Sequence, residues 1–225
     1  MKVRMLLFLA SIVTILLFTY FSYSVTKERL VQTDFDTTVK LQDHISRRFD
    51  KYFSLLSLLG SVEITVGFTL ILSFLSLVRR HWLAIFGWLL ILPASLAEVF
   101  GKLVLYHPAP PIFLHRGKLL TDLPSFYIHT DYSYPSGHMT RTVFLVTVFS
   151  LLVIFSKKNF LFKFIGLSLL LGFALLMGMT RVYLGEHWLS DVIGGSLLGI
   201  AAGFFASVLI LPGKSLNISS LSGGR

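Results

Sequence analysis

Six long apolar runs dominate the chain, at about residues 5–22, 55–78, 82–106, 139–155, 160–182 and 188–211. Each comes close to the roughly 20 residues that a helix needs to cross a bilayer. Most polar positions are confined to short connectors, with two exceptions. Residues 27–51 are charged throughout, yet Val31, Phe35, Val39, Ile45 and Phe49 recur near helical spacing. That pattern predicts an amphipathic helix at the membrane interface, or one that simply covers the bundle. The second exception is the long polar stretch 107–138, where Pro108, Pro110 and Pro111 stop the third run. The expected architecture is all-α: a polytopic membrane protein with a six-helix transmembrane bundle and one interfacial helix, forming a single domain over residues 1–225.

Composition strengthens this picture. The chain is 54% hydrophobic and only 14% charged, with a mean hydropathy of +0.77, which excludes an ordinary soluble domain. Cysteine is absent, so disulfides, thiol catalysis and Cys-ligated metals are excluded. The first run follows Lys2 and Arg4 and lacks a small-x-small cleavage site, so it reads as an uncleaved span.

Charge sets the expected orientation. Lys2 and Arg4, then Arg79, Arg80 and His81, then Lys157 and Lys158, and finally Lys214 and Arg225 fall on one side of a six-span protein. The positive-inside rule makes that side cytoplasmic. Both termini are then inside, segments 27–51 and 107–138 are outside, and the cell membrane is the expected location. These basic connectors explain part of the net charge of +9. Anionic lipid is the expected partner, and no nucleic acid is required.

Against this background, a few polar residues at the outer boundary stand out, because such groups are costly near lipid unless they serve a site. Lys102 lies about one turn from the end of the third run, where it could also just snorkel. Glu98, four residues earlier, is its expected ion-pair partner. In "YPSGHMTR", Pro135 and Gly137 make a tight turn and a helix begins near His138, so free N–H groups and a positive dipole end form an anion site. Ser136 can cap that helix or bind the anion. Arg181 ends the fifth run and His187 begins the sixth. Asp191, four residues after His187, can accept its Nδ1–H and leave Nε2 as the nucleophile. Glu186 reads as a rim residue. Two histidines, two cations and a helix N-terminus suit phosphoryl transfer: one imidazole attacks phosphorus, the other protonates the leaving oxygen, and cations hold the equatorial oxygens.

These residues carry a family resemblance. The chain resembles the type-2 phosphatidic acid phosphatases, integral membrane lipid phosphatases of six spans whose motifs are Lys-x6-Arg-Pro, Pro-Ser-Gly-His and Ser-Arg-x5-His-x3-Asp. "PSGH" is complete at Pro135–His138. "TRVYLGEHWLSD", Thr180–Asp191, matches the third motif apart from Thr180. "KLVLYHPAP", Lys102–Pro110, matches the first at Lys102 and Pro110 but has Ala109 where the family has Arg.

The resemblance implies that His187 forms a phosphohistidine, oriented by Asp191, and that His138 is the general acid. Lys102, Ser136, Gly137 and Arg181 would bind phosphate. No metal or other cofactor is implied, and the substrate would be a lipid phosphate monoester or pyrophosphate. A phosphotransferase, or a lipid-binding protein weakened by Ala109, is the alternative. Loss of a charge-assisted phosphate contact costs about 1.5–3 kcal/mol. Arg141, one turn after His138, is the expected substitute, with Arg116 as second choice; Arg141 could equally anchor at headgroups. His107, beside Pro108, reads as a loop residue that could also touch the phosphate.

Overall fold

A computed structural model describes residues 2–117 and 131–211. Lys118, Lys214 and Arg225 lie outside the described residues. The helices are α1 (Lys2–Thr26), α2 (Val31–His44), α3 (Asp50–Leu58), α4 (Val62–Val78), α5 (Trp82–Leu89), α6 (Ile91–Val104), α7 (Gly137–Ile154), α8 (Phe160–Tyr183) and α9 (Leu189–Ile210). They give six segments long and apolar enough to cross a membrane, with α3–α4 and α5–α6 each forming one broken span.

Two expectations about the first half of the chain need correction. The second span begins near Arg47 rather than at 55, and it breaks at Leu59–Ser61. The segment 27–51 is not one helix: α2 ends at His44, and a 3-10 turn at Arg47–Phe49 leads into α3. The third span also breaks, at Leu90, three residues before Pro93, whose ring nitrogen cannot donate into the helical ladder.

Helix burial follows the rule for lipid rather than water. Ser11, Thr14 and Ser22 of α1, Asp50, Ser54 and Ser57 of α3, and Thr65, Thr69 and Ser73 of α4 face inward. Lipid tails are as apolar as leucine, so small and polar side chains, which pack closely or hydrogen-bond, take the protein-facing stripe. α2 obeys the same rule. Asp34, Thr38 and Gln42 are buried, while Val31 and Phe35 are exposed. The α7–α9 contact is the tightest seam. Gly195, Gly199 and Gly203 lie four apart on α9, and a Cβ at each would fall 2.3 Å from the Ser136 carbonyl, 2.5 Å from the Thr140 carbonyl and 2.7 Å from the Thr147 Cβ.

The two ends of the bundle differ in character. At one end Arg4 Nη2 donates to the Leu211 carbonyl at 2.9 Å, and Arg4, Arg79, Arg80 and His81 line one crevice. The opposite end collects α2, the end of α6 and α8, and the start of α7 and α9.

Candidate active site

The site end is built by chain turns. α7 starts at Gly137 with Ser136 as its N-cap, but the Ser136 side chain makes no capping bond. Its hydroxyl is fully buried and has no hydrogen-bond partner among the described residues, so capping is not its role. The Ser136 N–H instead donates to the Asp191 carbonyl at 3.0 Å, which fixes the α7 start to α9. Across from them, the break between α3 and α4 brings Gly60 against His138; a Cβ there would sit 3.0 Å from the His138 ring. At the end of α8 the chain reverses through Gly185, whose φ of +67° places its backbone where a Cβ would lie 2.3 Å from the Leu114 carbonyl. This turn sets His187 just ahead of α9.

His187 and Asp191 form the expected dyad, with Nδ1 3.2 Å from Oδ2 and both side chains buried. The same Oδ2 accepts the Trp188 N–H at 2.9 Å, so the start of α9 orients the carboxylate. Burial, followed by Arg181 and Lys102, holds the His187 imidazole well below the ordinary histidine range. The pairing takes up Nδ1 and leaves Nε2 outside the dyad. His138 is half-buried and lies within electrostatic reach of Arg181, Arg141, His187 and Lys102.

Each cation in this cluster has a carboxylate beside it. Lys102 Nζ is 2.6 Å from Glu98 Oε1, the expected pair. Arg141 Nη1 lies 3.2 Å from Glu98 Oε2. Arg141 is only 6% exposed, which excludes a headgroup anchor. Glu98 also occupies the space over Gly137, where a Cβ would come 2.5 Å from its carboxylate. Arg181 pairs with Glu186 and with the Ser57 hydroxyl. Glu186 sits in the turn before α9, not on a helix as expected, and its partly exposed side chain folds back onto the buried Arg181. Ala109 lies in the loop, with its N–H donating to the Asp131 carbonyl. Arg116, the second substitute, stacks on Tyr183 and donates to its hydroxyl, a structural contact.

Two further residues stand beside the dyad. His107 lies in the loop after α6, as expected, but is buried there, with Nε2 3.6 Å from Asp191 Oδ1. Asp34 of α2 is also buried, and its two oxygens accept the Ser190 N–H at 2.8 Å and the Ser190 hydroxyl at 2.7 Å. Burial raises the Asp34 carboxyl above its ordinary range, against the lowering effect of those bonds. The signal for Asp34 was the polar stripe Asp34, Thr38, Gln42 at helical spacing.

Known proteins share sequence or fold with this chain. Over 118 residues the chain is 33% identical to an undecaprenyl-diphosphatase of Sulfolobus acidocaldarius, a match that covers 50% of each. The chain thus spans about half the length of that curated relative. A transmembrane PAP2-type phosphatidylglycerolphosphate phosphatase of Bacillus subtilis shares the fold, with a TM-score of 0.67, 19% identity, and coverage of 87% of this chain and 93% of that one. Aquifex aeolicus LpxE superposes with a TM-score of 0.56 at 23% identity, covering 77% and 94%. The family model of the PAP2 superfamily matches residues 82–212, more than half of the chain and all of the motif-bearing helices α5–α9. With six membrane-length helices and this match, the chain is an integral membrane protein that belongs to the PAP2 superfamily.

Proposed function

We propose that this protein hydrolyses the phosphate monoester or pyrophosphate of a membrane lipid, without metal, through a phosphohistidine. The carrying observation is the buried His187–Asp191 pair beside a cluster of three cations. His187 Nε2 attacks phosphorus, and the bond to the leaving oxygen breaks as His138 donates its proton. Asp191 holds the Nδ1–H and stabilises the charge that develops on the ring. Lys102, Arg181, the Ser136 hydroxyl and the first N–H groups of α7, from Gly137 on, hold the phosphoryl oxygens. Arg141 supplies the positive charge that Ala109 lacks, with Glu98 setting its position. Water, deprotonated by His138, then attacks the phosphohistidine. The P–N bond breaks and inorganic phosphate leaves.

The lipid part of the substrate has a matching surface. An apolar groove of about 790 Å³ runs between α7, α8 and α9, lined by Met139, Val143, Gly178, Leu189 and Val192 among others. Met139 follows His138 directly, and Leu189 is two residues from His187. A hydrocarbon chain in this groove has its head at the cations. The names of two relatives, an undecaprenyl-diphosphatase and a phosphatidylglycerolphosphate phosphatase, support a phosphorylated or pyrophosphorylated lipid.

Phosphate release from phosphatidate, phosphatidylglycerol phosphate and polyprenyl diphosphate, assayed in excess chelator, tests the chemistry. Activity is expected to persist, with an acid-labile phosphoenzyme that His187→Ala does not form. Activity that disappears with chelator and returns only with a divalent ion would overturn the mechanism. The site is proposed to face outward at the cell membrane, since the basic connectors lie at the other end. Lys40→Cys should then react with an impermeant thiol reagent on intact cells while Arg80→Cys does not; the reverse labelling would move the site to the cytoplasm.

A further inference from the structure

The dyad does not end at Asp191. Its Oδ2 is shared by His187 and Trp188, whereas Oδ1 lacks a well-formed hydrogen bond. His107 Nε2 stands 3.6 Å from that Oδ1, and the Ser133 side chain lies beside the same carboxylate. His107 Nε2 is also 3.3 Å from the Ser190 hydroxyl and 4.0 Å from Asp34 Oδ2. The Ser190 hydroxyl donates to Asp34, so its oxygen is free to accept, and the single His107 Nε2–H is shared between it and Asp191 Oδ1. Asp34, His107, Ser190 and Asp191 are all buried, on α2, the loop after α6, and the first turn of α9. A buried carboxylate held on one side only can rotate, and each rotation costs His187 its Nδ1 partner.

We propose that His107 and Asp34 are positioning residues for the catalytic carboxylate: Asp34 fixes Ser190 and the His107 ring, and His107 holds the outer oxygen of Asp191 so that its inner oxygen stays on His187. The proposal rests on the phosphohistidine reading above. It gives α2 a part in the reaction, since the helix delivers Asp34 to the dyad. Groups that act through a first ligand or catalytic residue are commonly worth about 10–100-fold in activity.

The test is rapid-quench phosphorylation of the full-length protein in detergent, using a lipid phosphate and an aryl phosphate, for His107→Ala, His107→Gln and Asp34→Asn. His107→Ala and Asp34→Asn should each slow phosphorylation of His187 by about ten-fold or more. The factor should be the same for both substrates, because the defect lies in the nucleophile and not in leaving-group protonation. The substrate dissociation constant, read from the concentration dependence of that rate, should stay within about two-fold. His107→Gln, which keeps a side-chain N–H, should recover part of the rate. A purely structural role predicts fewer active sites at an unchanged rate constant; that result, or full activity of both variants, overturns the proposal. Should His107→Ala not fold, Asp34→Asn decides by the same criteria, because its remaining oxygen still accepts the Ser190 N–H. A wild-type protein that forms no phosphoenzyme would overturn the proposed function itself, whereas an active wild type with unaltered variants overturns only the positioning.

Discussion

α8 and α9 are neighbours of similar length, and both bring a proposed site residue to the same end of the bundle, yet they are held in opposite ways. α9 is buried along its length, from Ser190 to Ser207, and meets the α7 backbone through Gly195, Gly199 and Gly203. α8 has no buried residue from Phe160 to Leu176; its buried residues all lie between Met177 and Tyr183. One helix is located by close backbone contact. The other is located by its polar end, where Arg181 meets Ser57 and Glu186. The difference teaches that fixing a cation requires only the last two turns of a span. The rest of α8 can then stand off and leave an apolar groove.

Substitution at the two functional ends should have the largest effect. His187→Ala is expected to abolish phosphoenzyme and phosphate release, because nothing replaces the nucleophile. Arg181→Ala should lower kcat by about 10²–10³-fold, the usual cost of one transition-state donor, with the phosphoenzyme still detectable. Equal residual rates for the two variants would erase the distinction between the helices at this level.

Packing comes next. Gly199→Leu must displace the α7 backbone, and over-packing of this kind costs about 1–3 kcal/mol. Gly172→Leu on α8 meets open space, since no atom lies within 4 Å of a Cβ there. Thermal unfolding in detergent should show a lowered midpoint for the first and none for the second. A Gly172→Leu variant as unstable as Gly199→Leu would mean that α8 is packed along its length.

The smallest effect is expected in the groove. Ser196→Trp lines it from α9, whereas Leu169→Trp points away from it on α8. Ser196→Trp should raise KM for a long-chain lipid phosphate a few-fold, the scale of about 1 kcal/mol, and leave a water-soluble aryl phosphate unaffected. Leu169→Trp should change neither. Equal effects on both substrates would remove the groove from substrate binding.

The spans were legible because each is an apolar run of bilayer length, and the dyad because its two residues are only four apart, although His187 stands in the turn ahead of α9 rather than on that helix. The chain turn at "PSGH" was legible for the same reason. The face of α2 was not. Following its apolar positions, Val31 and Phe35, selects the side turned to lipid, because in a membrane protein the inward stripe is polar or small. The break at Leu59–Ser61 hides in an apolar run that continues on both sides. Asp34 and His107 meet Asp191 across three separate elements, so no spacing along the chain relates them. The same holds for Arg181 and Ser57. Gly195, Gly199 and Gly203, by contrast, stand at a legible spacing of four that an apolarity count passes over, since glycine adds little to it.

The contact between α1 and α9 has a consequence for biogenesis. Ser11 donates to the Ala201 carbonyl at 2.9 Å, and Arg4 donates to Leu211 at the opposite end of the chain. Ser22 bonds the Tyr134 hydroxyl at 2.8 Å, and that ring packs on Gly194. α1 is therefore completed by α9, with the Ser11–Ala201 bond spanning 190 positions, and contacts so distant in sequence form late because their loops must close first. Until α9 has been inserted, the polar stripe of α1 has to be tolerated by lipid or by transient partners. His187 and Asp191 enter with α9, so the cluster is assembled only once α9 has joined α1 to α8.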